Sequence, residues 1–302
     1  MSIYVEIPIR GTMDEVWRLT QTPDLHVRWD LRFTDIKYLP RSDDAHPQRF
    51  LYATRIGLGV AIQGEGETVG QRDGANGQRT SALKFWSDDP KSLIREGAGY
   101  WHYVPADDGL RFLTSYDYRV RFGAAGRLVD ALLFRPIVGW ATAWSFDRLR
   151  LWIERGIPPE TSLRQSLIHL IARSGLAFAW FYQGVFPKLV DQHADELAML
   201  QQAGFSGAQA PIVAQALGWA EAVFAIAMLV FFHQRWPLGL TIVLMIAATI
   251  GVAINSPEFL FAAFNPVSLN VLMLALACVG LLAGRDLPSA RRCLRKPPRG
   301  KQ

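Results

Sequence analysis

Four apolar stretches fill the second half of the chain: Ser166–Phe186, Ile212–Phe232, Trp236–Pro257 and Phe259–Gly284. The first carries Arg173 as its one full charge, the second Glu221, and the last two none. An apolar helix of about 20 residues spans the roughly 30 Å hydrocarbon layer of a bilayer. Four in succession leave no polar face for water. The pattern predicts an all-α four-helix transmembrane bundle within residues 158–284, with spans near 166–186, 212–232, 237–255 and 267–284.

Residues 1–157 are patterned as a soluble α+β domain. Ile3–Ile9 alternates as a strand, and Thr12-Met-Asp-Glu15 opens a helix with a capping box. Thr22-Pro23 restarts a second helical turn, and strand-like runs follow from Arg32. In Leu110–Phe122 the even positions Leu110, Phe112, Thr114, Tyr116, Tyr118, Val120 and Phe122 share one face, while Arg111, Asp117, Arg119 and Arg121 take the other, giving one dry and one wet face of an antiparallel sheet. A long helical segment, 126–154, closes the domain. It reads as a core helix packed across the sheet. The alternatives are docking of its Trp140/Trp144 end at the membrane surface and a fifth span, against which Asp130, Arg135 and Pro136 argue.

Charge changes this picture mainly at the end of the chain. The net charge is +5. The excess sits in the tail 285–302, where Arg285, Arg291, Arg292, Arg295, Lys296, Arg299 and Lys301 face only Asp286. Basic residues directly after a span read as a topology signal and a contact for anionic lipid, not as a nucleic-acid surface. Arg164 before the first span and Arg235 between the second and third agree with the tail. Both termini are therefore expected on the cytoplasmic side of a bacterial inner membrane. Met1–Arg10 has no export signal. Cys278 and Cys293 form no CxxC and predict neither a disulfide nor a metal site.

No catalytic constellation is visible. His26, His46 and His102 lack metal-ligand spacing, and there is no phosphate loop or nucleophile elbow. Trp29, Tyr100, His102, Tyr116 and Tyr118 could offer polar tips to a ligand of the soluble domain, and each also fits as an ordinary core or rim aromatic. Ionisable residues within spans are costly and usually mark function. His169, Arg173 and Glu221 are the candidates, and bookkeeping of depth along the helices pairs Arg173 with Glu221. Snorkelling of Arg173 to the surface is the plainer alternative.

Two resemblances add to this reading. The segment Ile7–Trp17, then Asp24–Trp29 before a strand at Phe33, then the terminal helix, resemble the START-like, polyketide cyclase superfamily (SRPBCC). That resemblance implies a helix-grip fold with an apolar cavity for a lipid, polyketide, quinone or similar small molecule. In the second half, Trp-Phe-Tyr-Gln-Gly-Val-Phe-Pro-Lys-Leu at 180–189, Glu-Leu-Ala-Met-Leu at 196–200, Gly-Trp-Ala-Glu at 218–221 and Asn-Pro-Val-Ser-Leu-Asn at 265–270 resemble the DoxX-like family of four-helix bacterial membrane proteins. It implies a shared polar site of Gln183, Lys188, Glu221, Asn265 and Asn270, beside Arg173. It also implies a link to quinone redox chemistry, so a quinone is the one cofactor suggested. The expected function is binding of a lipophilic small molecule at the membrane. A quinone-linked oxidoreductase subunit and a membrane-anchored lipid carrier are the alternatives. The expected partners are membrane lipids and the small hydrophobic ligand; protein partners and oligomeric state stay open.

Overall fold

The computed structural model describes residues 2–41, 43, 46–57, 59–263 and 265–298; Arg299 and Lys301 of the basic tail lie outside them. The chain forms two compact units, dividing after Ser162 and again after Leu287. The first division falls a few residues later than the sequence suggests. The second does more, because it returns the tail to the first unit.

The first unit opens with β1 (Ile3–Ile9), α1 (Met13–Gln21) and α2 (Pro23–Trp29). Thr12 caps α1 by accepting from the Glu15 amide at 3.2 Å, so the Ser/Thr half of the capping box is in place. Six further strands follow: β2 (Asp35–Tyr38), β3 (Arg49–Gly57), β4 (Val60–Asp73), β5 (Arg79–Trp86), β6 (Ile94–Ala106) and β7 (Gly109–Val120). They form an antiparallel sheet of order β1-β7-β6-β5-β4-β3-β2, so the first strand pairs with the last. Where the strands need volume on the inner face, a ring from one strand covers a glycine opposite. Tyr52 pairs with Gly64 and Phe50 with Gly66. A methyl group on either glycine would lie 2.3 or 2.4 Å from the opposing ring. The bare backbone lets the rings lie flat and the sheet curve.

A helix then runs across that inner face. It begins as α3 (Gly123–Val129), passes through a π-helical stretch Asp130–Phe134, and continues as α4 (Arg135–Arg155). Phe146 of α4 stacks on Phe112 of β7 with centroids 4.5 Å apart. One strand, two short helices, six strands and a long helix over the sheet constitute the helix-grip architecture. Buried Arg148 ties the ends together, donating to the carbonyls of Arg28, Trp29 and Pro159 at 2.9–3.1 Å.

The tail completes this unit. Leu294 and Glu6 exchange two backbone hydrogen bonds of 2.9 Å across the free edge of β1. Asp147 of α4, fully buried, accepts from the Ser289 amide and from Arg292 at 2.8 Å each. Buried Cys293 donates to the Ala143 carbonyl at 3.2 Å. Residues 289–294 are thus part of the soluble fold, which corrects the reading of the whole tail as a lipid-facing appendage.

The second unit comprises most of α5 (Pro159–Gly184), a π-helical turn Val185–Val190, a short α6 (Ala194–Gln202), α7 (Ala210–Val230), α8 (Trp236–Asn255) and α9 (Pro266–Ala283). By length and composition α7, α8 and α9 can cross a membrane, with mean hydropathies of 1.8, 2.3 and 2.2. α5 is more polar because it carries Glu160, Arg164, His169 and Arg173. Two observations make it the fourth crossing. The polypeptide leaves the first unit after Ser162 and rejoins it at Pro288, and a folded unit on one side of a bilayer requires an even number of crossings between. Within the second unit, His169 and Arg173 of α5 meet the C-terminal ends of α7 and α9, whereas Lys188, after the end of α5, meets Glu221 and Glu196. Leu176, Trp180, Met228, Leu238, Met245 and Met273 form its core. The whole is a helix-grip domain followed by a four-helix transmembrane bundle.

Candidate functional site

In the soluble unit, register decides which nominated side chains share a face. Directly opposed residues of an antiparallel pair point the same way. Trp101 and Tyr103 of β6 oppose Thr114 and Phe112 and face α4. Tyr100 and His102 oppose Ser115 and Leu113 and lie on the outer face, Tyr100 at 40% exposure. The strand parity of β6, which Pro105 and the turn at 107–108 obscure in the sequence, removes both from the expected cavity. His102 instead contacts Gln78 at 3.2 Å, and burial together with Arg111 lowers its pKa.

Trp29, Tyr116 and Tyr118 do face inward, and their polar tips are occupied. Trp29 is fully buried and donates to the Leu19 carbonyl at 3.0 Å. Tyr116 shares a 2.8 Å hydrogen bond with Thr142. Tyr118 donates to Asp130 at 2.7 Å, and burial followed by that carboxylate raises its pKa. Asp130 also accepts from Arg135 at 2.9 Å, so this trio anchors the π-helical stretch to the sheet. Beneath them lies a cluster that sequence reasoning passed over: His26, Asp30 and Arg32. His26 Nε2 lies 3.0 Å from Asp30, and Arg32 binds the same carboxylate at 2.6 Å. Burial would push the Asp30 carboxyl up, but the Arg32 charge and the hydrogen bonds from His26 and Arg32 hold it well below the usual range. Burial lowers the pKa of His26. His26 spacing i, i+4 to Asp30 on α2 was the available signal.

A cleft of 410 Å³ opens at the other end of α4, against the edge of β1. Its floor is apolar, from Ile7, Ile9, Ala106 and Leu110. Its rim is charged, with Arg10, Arg150 and Arg292 against Asp108 and Glu154. Arg292 reaches it from the returning tail, so a sequence-only reading had no way to place it.

In the bundle, Lys188 and Glu221 form the polar centre. Lys188 Nζ lies 3.2 Å from Glu221 Oε2, 3.5 Å from Glu196 Oε1 and 3.2 Å from the Gln183 carbonyl. Lys188 is only 8% exposed. Two features of the chain bring it there. The π-helical turn 185–190 adds a residue to the winding and swings Lys188 inward. Gly184 and Gly218 let α5 and α7 touch, since a methyl group on Gly184 would lie 2.7 Å from the Gly218 carbonyl. Glu196, the first residue of Glu-Leu-Ala-Met-Leu, completes the site. Gln183 contributes its backbone. Asn265 and Asn270 are elsewhere: Asn265 caps α9 by accepting from the Ser268 amide at 2.8 Å, and Asn270 donates to Thr249 at 3.3 Å.

Arg173 does not meet Glu221. It is fully buried, and donates to His169 Nε2 at 2.9 Å, to the Met228 carbonyl at 2.7 Å and to the Gln234 carbonyl. Nε2 of His169 is then an acceptor, so Nδ1 donates to the Gly280 carbonyl at 2.8 Å. Met228 and Gly280 lie in the last turns of α7 and α9, where the dipole is negative, and the Gly280 carbonyl accepts from His169 as well as from the Gly284 amide. His169 and Arg173, one turn apart on α5, cap both helix ends. That explains a cation at this depth without a carboxylate.

Fold and site together define a membrane protein that joins a helix-grip domain to a DoxX-like bundle. Its DoxX-like domain matches the profile described as "DoxX-like family" over residues 177–278. Along 97% of both chains it is 40% identical to an "Uncharacterized membrane protein YndG" of Bacillus subtilis (strain 168), and it belongs to that protein's family. Among solved structures it is similar to a STAR-related lipid transfer protein fragment from Xanthomonas axonopodis, at 14% identity over 51% of this chain and 86% of that one, with a TM-score of 0.40. It is also similar to the di-domain ARO/CYC StfQ from the steffimycin biosynthetic pathway, at 14% identity over 51% and 50%, with a TM-score of 0.38. The helix-grip assignment itself stands on the strand order and the helix across the sheet.

Proposed function

We propose that this protein binds a lipophilic small molecule with a polar head at the bacterial inner membrane, with its helix-grip domain and both chain ends on the cytoplasmic side. The observation carrying the binding reading is the cleft beside β1, whose apolar floor and charged rim suit an amphipathic ligand of lipid, polyketide or quinone type. The orientation is supported by Arg164 before the first span and Arg235 between the second and third, where positive charge favours the cytoplasmic side. Membrane lipids and the ligand are the partners in this reading, and the Lys188–Glu221–Glu196 cluster is the polar site at which the bundle receives or senses the ligand.

The anionic amphiphile 1-anilinonaphthalene-8-sulfonate, added to the full chain in detergent, provides the test. Ala106 is exposed at the cleft, so Ala106→Trp fills the space without disturbing the core. The variant is expected to bind the probe at least about tenfold more weakly, with unchanged thermal unfolding. Undiminished binding would overturn the cleft as the ligand site.

A further inference from the structure

The first unit carries an apolar surface for which its own fold supplies no cover. Phe122, just ahead of α3, and Leu128, Leu132, Leu133, Ile137 and Trp140, within α3, the π-helical stretch and the first turns of α4, are 47–73% exposed. From Leu128 onward they fall one to four residues apart, while Gly139, Thr142 and Ala143 of the same helix are buried. A surface of such length and composition exceeds the scatter of single apolar residues on a water-soluble face.

Charge and tether both indicate what covers it. Arg127 is exposed within the stretch. The tail sets Arg295 against α4, where it donates to the Pro136 carbonyl at 3.4 Å, and exposed Lys296 follows. A leucine- and aromatic-rich face edged by arginine and lysine is the pattern of a helix lying in the headgroup layer. Only residues 156–158 separate α4 from α5, the helix that enters the bilayer. So short a tether keeps the unit at the lipid surface and gives the face a high effective concentration of lipid.

We propose that residues 122–140 form an interfacial anchor that inserts its apolar face among the headgroups of an anionic lipid bilayer, with Arg127 and Arg295 contacting lipid phosphates. Leu132, the most exposed of the six at 73%, sits at its centre. The anchor is a lipid contact in addition to the four spans, and it does not depend on the proposed cleft.

Spin labels on the full chain in vesicles test this, with Cys278→Ser and Cys293→Ala as background and a single Leu132→Cys or Val69→Cys added. Val69 is 50% exposed on β4 and serves as the solvent reference. In phosphatidylcholine vesicles containing phosphatidylglycerol, the label at 132 is expected to collide readily with oxygen and poorly with a water-soluble nickel chelate. The label at 69 is expected to do the reverse. Removing phosphatidylglycerol, or Arg127→Gln with Arg295→Gln, should make the label at 132 shallower. Nickel access at 132 equal to that at 69 would mean a solvated face. Poor access to both reagents would mean cover by protein, such as a second copy of this chain. A depth at 132 unchanged by lipid charge would remove the anionic contact. Each of these three results overturns the proposal.

Discussion

At the residue scale, burial gives ordinary side chains unusual consequences. Lys188 and Glu221 are a largely buried ion pair, and removing one partner leaves the other charge uncompensated. Lys188→Met should therefore lower stability in detergent by about 3 kcal/mol, the low end for such pairs, and Glu221→Gln in the same background should restore part of the loss. Arg173→Leu and Glu221→Gln should instead be additive, since the two do not touch. A double-mutant cycle by thermal unfolding separates these outcomes. Depth counting missed the true partner because it compared only residues within the apolar runs, and Lys188 lies just past the first of them. The π-helical turn at 185–190 changes where Lys188 points. The sequence nominates Lys188 and Glu221 but not their pairing.

His26 supplies a pH dependence. Its folded pKa lies below the ordinary 6.5, chiefly through burial. A lowered value means the unfolded chain binds the proton more readily, so the contribution to stability is complete above about pH 6.5 and is lost as pH falls through the depressed folded value. Asp30, also lowered, adds a loss only below the usual carboxylate range. Unfolding of the soluble unit followed by tryptophan fluorescence should thus weaken from pH 7 to pH 5, and His26→Gln should flatten that slope. An unchanged slope in the variant would assign it to other groups.

At the scale of elements, alternation and caps were readable and partners distant in sequence were not. The even face of Leu110–Tyr118 is buried as its pattern requires, and Thr12 caps α1. Phe122 leaves the pattern because it has left the strand, with a φ of 63° ahead of α3. The tail shows the limit most plainly. Its charges carry a membrane signal, yet the buried Asp147 of α4 recruits Ser289 and Arg292 from more than a hundred residues away. A chain ending at Leu287 loses two donors to a buried carboxylate and uncovers the edge of β1. It should lose about 1–3 kcal/mol, and its soluble unit should melt several degrees lower. Equal melting points for the shortened and full chains would show that the tail only rests on the domain.

At the scale of the molecule, the spans announced themselves because hydrocarbon tolerates few other patterns. The helix-grip order followed from turn residues and strand alternation. How α5 could cross while carrying Arg173 was not legible, since the carbonyls of Met228 and Gln234 that satisfy it come from 55 and 61 residues away. The central claim is that one folded domain, closed by its own C-terminal tail, is interrupted by an even number of membrane crossings. Paired reporters on the full chain test it most directly, one active only in the periplasm and one only in the cytoplasm, placed in turn near Gln201 and after Gln302. The account predicts periplasmic activity at Gln201 and cytoplasmic activity at the chain end. Periplasmic activity at the chain end, or cytoplasmic activity at Gln201, would contradict it.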